Sequence, residues 1–372
     1  PRRPFLIVLD VVRAAVVLFL PFVDQVWQIY VLIFFLQSAS AAFTPTFQAT
    51  IPDILKDEEE YTKALSLSRI AYDLENLISP LLSAALLAII GFHWLFVGTA
   101  LGFMASALLV LSIALPAAVV RKRSGGLYEN TTRGIRYYLA TPRLRGLLSF
   151  SLVVAAAGAM VIVNSVVYVR ATLNGDESDV AIALAVFGAG SITAALVLPR
   201  LYEPFSDRSI MFAGGAGLIA GLLALAAELM LASPSWPTFY AVWFVLGSSF
   251  SVVQLPAGRL LRRSSHHEDR PALFAAQFAL SHACWLVTYP LAGWLGAHYG
   301  MTTALLVLAA LGTVGMFAAY LIWPSPDADV IEHTHSDLSR DHGHWSEGEV
   351  TSDGRHAHTY VIDDLHRRWP SP

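Results

Sequence analysis

The sequence is short of charge and nearly without cysteine. Asp, Glu, Lys and Arg make up 14% of its 372 residues, against roughly 25% in soluble domains, so the chain lacks the polar surface to dissolve. The one cysteine, Cys284, lies inside an apolar run, which excludes an intrachain disulfide framework. No Gly-x-x-x-x-Gly-Lys-Ser/Thr occurs, arguing against an ATP-driven pump. No His-Glu-x-x-His occurs either, which removes the commonest intramembrane zinc protease. The apolar segments hold no clustered catalytic constellation, so the chain reads as a non-enzyme.

What the chain has instead is long apolar runs. Hydrophobic residues make up 55% of it, and spanning the hydrocarbon core takes roughly 20 of them per helix. Ten spans are predicted: 5–23, 27–49, 66–92, 94–115, 146–169, 180–199, 210–232, 238–257, 272–297 and 301–323. The runs are far too long for the roughly 10-residue alternating strands of a barrel, so an all-α polytopic membrane protein is expected. Of 24 Lys and Arg residues, only Arg13 sits within an apolar run and only Arg170 in a loop of the opposite parity. All the others fall on one side, the positive-inside pattern of a multi-pass protein with a cytoplasmic C-terminal tail. Topology therefore accounts for the basic residues, and no nucleic-acid partner is implied.

A polar stretch at 116–145 separates four spans from six. Landmarks repeat at an offset near 206: Arg2 and Arg208, Gln48 and Gln254, Pro80 and Pro290. Parallel six-helix repeats are one way of building a secondary transporter. On that pattern 1–115 is what remains of an N-terminal bundle, 116–145 a cytoplasmic central loop, 146–323 a C-terminal six-helix bundle and 324–372 a tail. The four-plus-six asymmetry, with the start on Pro1, leads us to expect roughly 60 further residues upstream, two spans, making ten helices of twelve.

These features resemble the major facilitator superfamily, starting at its third helix. Pro1-Arg2-Arg3-Pro4 is similar to the end of the superfamily's loop signature, and Leu201 to Arg208, with Asp207-Arg208, to its degenerate second copy. The runs Asp10 to Ala15, Phe47 to Asp53 and Ala64 to Ser68 resemble the branch of enterobactin-exporter-like and nickel-resistance proteins. Ser79-Pro80 stands where exporters carry Gly-Pro, and residues 28–49 lack the drug exporters' intramembrane Arg. The resemblance implies proton-coupled efflux by alternating access, by a monomer in a bacterial inner membrane. The partners would be the lipid bilayer, protons, and a small-molecule or metal-ion substrate.

Ionisable groups at lipid depth are costly and mark candidate sites. Asp10 and Arg13 are three apart and Arg69 and Asp73 four apart, so each couple can pair along its helix. Glu75 has no evident local partner. Asp10, Arg13, Asp73, Glu75, Asn164 and His282 are the transport or coupling candidates, against the plainer reading of ion pairs and hydrogen bonds that hold helices. Gly188-Ala-Gly190 and Gly214-Gly215-Ala-Gly217 read as close-packing surfaces.

Seven of the 12 histidines follow Trp323. Six form His-x-His pairs, His333/His335, His342/His344 and His356/His358, with His366 beyond. Residues two apart in an extended chain share a side, so each pair is expected to chelate one ion. Imidazole suits nickel, cobalt, zinc and copper. No cofactor is required, but a divalent metal (nickel, cobalt or zinc) is expected on the tail. Val361, Leu365 and Trp369, four apart, suggest a short amphipathic helix. The leading cargo is a divalent transition metal, nickel or cobalt, or its chelate. A siderophore, drug or other organic solute, with a metal-sensing tail, stays open, as does a membrane metal sensor that transports nothing.

Overall fold

The computed structural model describes residues 2–87, 89–113, 115, 126–334, 343–346, 349–350 and 355–370. It is mostly helical, and nine of its helical segments are long and apolar enough to span a membrane among the described residues. Four helices precede the polar stretch: α1 (Arg2–Phe19), α2 (Val26–Ile54), α3 (Glu58–Leu87) and α4 (Phe92–Ser112). The expected third span corresponds to α3, whose first half is polar, Glu58-Glu59-Glu60 opening it.

The expected central loop is only partly a loop. Residues 116–125 lie outside the described residues, but α5 (Leu127–Ala140) is an amphipathic helix, and α6 (Pro142–Val167) already starts at Pro142. Proline suits that first position because its missing N–H would be unpaired anyway. The helices α7 (Glu177–Leu201), α8 (Asp207–Leu231), α9 (Trp236–Gln254), α10 (Pro256–Arg263), α11 (Arg270–Tyr299) and α12 (Met301–Ile322) complete the bundle. Asp176 and Asp179 form a reciprocal cap at the start of α7, and Gly300, at φ 84°, makes the tight turn from α11 into α12.

Two groups of helices result. In the first, α1 packs on α2 and α4; in the second, α6 touches α8, α11 and α12, and α9 joins α7 to α8. The apolar window of α6 is 72% buried, so α6 is the axis of the second group. The groups meet where α3 crosses α7 and α2 crosses α11. Glycines set the closest approaches. A Cβ at Gly190 would strike the Phe244 carbonyl and one at Gly247 the Phe187 carbonyl, so α7 and α9 touch backbone to backbone, the small-residue mode of membrane packing. Gly214 and Gly217 likewise admit Val252 and Ser249, as expected, whereas Gly188 has no neighbour within 4 Å among the described residues.

The tail folds back as a small sheet rather than trailing. Strand β1 (Val330–Thr334) pairs antiparallel with β3 (Arg355–Thr359), which also pairs with β2 (Glu349–Val350), giving the order β1-β3-β2. The amphipathic helix expected over 361–369 does not form. Asp363 instead accepts hydrogen bonds from the backbone N–H groups of Leu365 and His366 (2.8 and 2.7 Å), turning the chain. The Tyr360 hydroxyl donates to the Arg368 carbonyl and its ring meets Trp369.

Candidate functional site

Three polar constellations stand out, one within the bundle and two at the end bearing the tail, called here the tail face. Within the bundle, Arg69 and Asp73 pair one turn apart on α3 (2.8 Å). At 1.5 Å per residue, Asp73 lies about 10 Å along α3 from residue 66, where the expected span begins, inside a bilayer about 30 Å thick. Arg69 also donates to the Ser191 hydroxyl of α7 (3.1 Å), and its guanidinium faces the Phe250 ring of α9 (4.9 Å) and that of Tyr72 (5.4 Å). Phe250 continues into Phe187, Trp285 and Tyr289, with ring centroids 5.0 to 6.3 Å apart. A buried ion pair thus borders an aromatic wall where the two groups of helices meet, an arrangement suited to a cation or a flat organic group.

The other bundle candidates are placed differently. Asp10 is fully buried and paired with Arg13, whose guanidinium lies between the rings of Phe43 on α2 (4.0 Å) and Phe103 on α4 (4.5 Å). That pair fastens the first group together. Asn164, 2% exposed, donates to the Ala292 carbonyl of α11 (3.2 Å), a bond between helices. His282 is exposed on α11, its Nδ1 2.7 Å from the Phe278 carbonyl and its ring stacked on Phe278. Glu75 is exposed on α3. The structure therefore brings Arg69 and Asp73 to the junction, leaves Asp10, Arg13 and Asn164 holding helices within one group, and leaves His282 in contact with its own helix. Glu228 accepts from the backbone and hydroxyl of Ser235 (both 3.0 Å), steadying the turn from α8 to α9.

At the tail face the two groups are tied by carboxylates. Asp53, at the end of α2 and with no exposed side-chain surface, receives Arg2, Arg270 (2.6 Å) and His267 (3.2 Å). Beside it lies a cavity of about 410 Å³ lined by Pro52, Asp53, Lys56, Arg262, His267 and Arg270. Asp207 receives Arg259 (3.1 Å) and Arg263 (3.0 Å) from α10, and Arg259 reaches Glu58 (3.0 Å) and Thr62 (2.6 Å) on α3. The sequence reading missed this network, though Asp207 and Asp53 lay in runs it had singled out. The signal was the density of arginines around 259–270, attributed there to topology alone.

The tail adds its own acids to these arginines. Asp329 receives Arg143 (2.6 Å) and Arg263 (2.8 Å), and Asp327 lies 3.3 Å from Arg143. Burial alone would raise the Asp329 carboxyl, but the Arg263 and Arg143 hydrogen bonds outweigh it and hold it below its ordinary value. Arg143 also faces the Trp369 ring, and Tyr137 donates to Asp364 (2.7 Å).

The tail histidines converge. One ring nitrogen from each of His333, His344, His358 and His366 lies within 4.8 Å of the other three. His356, fully buried, packs against His344 and His358. His335 and His342 lie outside the described residues. Among the described residues, one histidine of each sequence pair, His333, His344 and His358, joins His366 in a single cluster. Antiparallel register explains this: His333 on β1 stands opposite His356 on β3, so β3 delivers His358 two residues on, on the same side. The His358 imidazole is depressed to about 4, first by burial and then by the neighbouring imidazoles, against a raising hydrogen bond to the Thr359 carbonyl. It is therefore neutral, the form that binds metals.

A helical bundle in two groups, apolar over its length, with an ion pair at their junction, defines a polytopic membrane transporter rather than an enzyme. The chain belongs to the Major Facilitator Superfamily, whose profile matches residues 1–163 and 147–352. It is 23% identical over 325 residues to the MFS-type transporter YfiS of Bacillus subtilis, covering 83% of this chain and 75% of that protein. A bacterial homologue of the iron transporter ferroportin in an outward-facing state superimposes with a TM-score of 0.67 at 14% identity, over 86% of this chain and 83% of that one. The human organic anion transporter MFSD10 gives 0.69 at 12% identity, over 86% and 77%. These last two likenesses show a shared fold.

Proposed function

We propose that the protein exports an organic solute from a bacterial cytoplasm, driven by proton influx and working by alternating access. The observation that carries this reading is the Arg69–Asp73 pair against the aromatic wall of Phe250, Trp285 and Tyr289. The positive-inside pattern supports a cytoplasmic tail face, and with that side the ties through Asp53 and Arg259 would belong to a state closed to the cytoplasm. Asp73 can trade Arg69 for a proton or for a cationic group of the solute. Because the two compete for one carboxylate, proton entry and solute exit are coupled as an exchange. Rings around the pair would hold the solute by its flat faces.

Metal cargo is the second reading, favoured by the tail imidazoles and by the resemblance to nickel-resistance proteins. An iron transporter homologue and an organic anion transporter share the fold equally well, so neighbours do not choose between the cargoes. The bundle's own chemistry of rings, one guanidinium and one carboxylate suits an organic solute better than a borderline-soft ion.

The test is transport in everted membrane vesicles, using the aromatic cation ethidium and, in parallel, nickel, cobalt and zinc measured by mass spectrometry. Proton-gradient-dependent ethidium uptake, abolished by a protonophore, is expected. Asp73→Asn should lower it by about tenfold or more, a charge-assisted hydrogen bond being worth about 1.5–3 kcal/mol. Gradient-driven uptake of a metal without ethidium would reverse the order of the two readings.

A further inference from the structure

The tail cluster has features that pairing of histidines alone does not supply. Its ring nitrogens are oriented. His333 Nδ1 lies 3.0 Å from the Ile331 carbonyl, His358 Nδ1 2.8 Å from the Thr359 carbonyl, and His366 Nδ1 3.0 Å from an Asp363 carboxylate oxygen. An oxygen can only accept, so in each case Nδ1 carries a proton, and in the neutral imidazole Nε2 is the nitrogen left to bind a metal. Metal-binding histidines are held in this way, the far nitrogen donating to a carbonyl or carboxylate.

The nitrogens face one another: His333 Nε2 and His366 Nε2 share a 3.1 Å hydrogen bond, whose proton a metal ion would replace. His358, 91% buried, has an Nε2 with no hydrogen-bond partner among the described residues. Four nitrogens 2.0–2.1 Å from a zinc-sized ion in a tetrahedron stand about 3.3 Å apart. One pair is already near that spacing, and the four candidate nitrogens all lie within 4.8 Å of one another.

The cluster is also wired to the bundle. Asp363, which orients His366, lies 3.4 Å from His266 Nε2, in the loop between α10 and α11. The next residue, His267, binds Asp53 at the end of α2, as does Arg270 three residues on. One loop thus faces the tail through His266 and the first group of helices through His267.

We propose that His333, His344, His358 and His366 bind a single divalent transition-metal ion of the zinc, cobalt or nickel class, and that the bound ion fixes the tail on the loop tying the two helix groups together. The ion is a regulator here, acting through Asp363, His266 and His267, and the inference is independent of which solute the bundle carries. It weights the closed tail face: metal-replete protein rests closed, metal-poor protein samples the open state more.

Two measurements on the purified full chain test it. Titration with cobalt, read by elemental analysis and by the intense visible bands of tetrahedral cobalt, should end at one ion per chain. The double variant His358→Ala/His366→Ala should lose it and His335→Ala/His342→Ala keep it. Asp363→Asn, which retains all four ligands, should weaken binding by about 10- to 100-fold. Two or three ions per chain, or loss in His335→Ala/His342→Ala, would return the tail to loose paired chelation and overturn the site. For the coupling, spin labels at Lys63→Cys and Glu203→Cys in a Cys284→Ala background report the tail-face distance by pulsed electron resonance. Zinc should favour the short-distance population by about fivefold or more, and not in the His358→Ala/His366→Ala protein. Stoichiometric zinc with an unchanged distance distribution would leave a metal site and sink the regulation.

Discussion

Replacing Asp53 by Asn should open the tail face without unfolding the bundle. The Asp53 carboxylate has no exposed surface and receives Arg270 at 2.6 Å, His267 at 3.2 Å and Arg2. Removing one partner of a buried ion pair costs about 3–5 kcal/mol, because the remaining charge stays desolvated. The low end applies: the carboxamide oxygen still accepts one hydrogen bond, and the Arg270 and His267 side chains keep 16% and 35% of their surface. Arg270 and His267 reach Asp53 from the other helix group, so most of the cost falls on the closed arrangement alone. About 3 kcal/mol corresponds to a shift of roughly 150-fold between closed and open. The labels at Lys63→Cys and Glu203→Cys would register that shift as a longer, broader distance distribution. Thermal unfolding of the same sample shows whether the bundle is intact. An unchanged distance distribution in folded Asp53→Asn protein would refute the claim that this carboxylate closes the tail face.

Gly247→Val should lower the bundle's thermal stability by about 1–3 kcal/mol, because its side chain meets the Phe187 carbonyl of α7; fluorescence-detected size exclusion after heating reads this. Asn164→Ala should cost only about 0.6 kcal/mol, the mean for a hydrogen bond between membrane helices, with transport retained. Tail docking through Asp329 depends on pH in one direction. Its carboxyl is held below the ordinary value near 4, so its contribution is complete above that value and is lost as pH falls through the depressed one. The Asp329 contribution, read as the difference in tail protease sensitivity between the parent and Asp329→Asn, should therefore be flat from pH 7 to about 5 and shrink only in stronger acid.

The bundle was legible because two strong signals agree along it. Apolar length marks each span, and cations sort to one side, so α1, α2, α4, α6 to α9, α11 and α12 fall where those signals put them, whereas the short α10 between spans was not expected. The Arg69–Asp73 couple was legible from its four-residue spacing. Its aromatic surroundings were not, because Phe250 on α9 and Trp285 on α11 reach it only through tertiary packing. Asp53 was hidden for the same reason: its partners come from residues 2, 267 and 270, and no local pattern announces a carboxylate shared across such separations. In α5, Tyr137 and Tyr138 are buried against the tail and α11 through Asp364 and Gln277, contacts that an arginine-rich stretch between glycines gave no reason to expect.

The tail shows why composition and arrangement must be argued separately. Its histidine content pointed to metal, but the two-residue spacing pointed to independent pairs, and the four-residue spacing of Val361, Leu365 and Trp369 to a helix. The helical pattern gave way to longer contacts, and one histidine of each pair joined a shared cluster. Pairing β1 with β3 set His333 beside His356 and His358, and the turn at Asp363 swung His366 in beside them. The consequence reaches function. Loose pairs on an extended chain would gather many ions weakly, as a collector near the mouth of a metal exporter should. Four imidazoles oriented by oxygens, closed around one point and fastened by Asp327, Asp329 and Asp363 to Arg143, Arg263 and His266, suit one ion held tightly. A tightly held ion is poor at feeding a pump and good at setting its conformation. The same histidines that favoured metal as cargo therefore favour, once folded, metal as the signal that governs when the tail face opens.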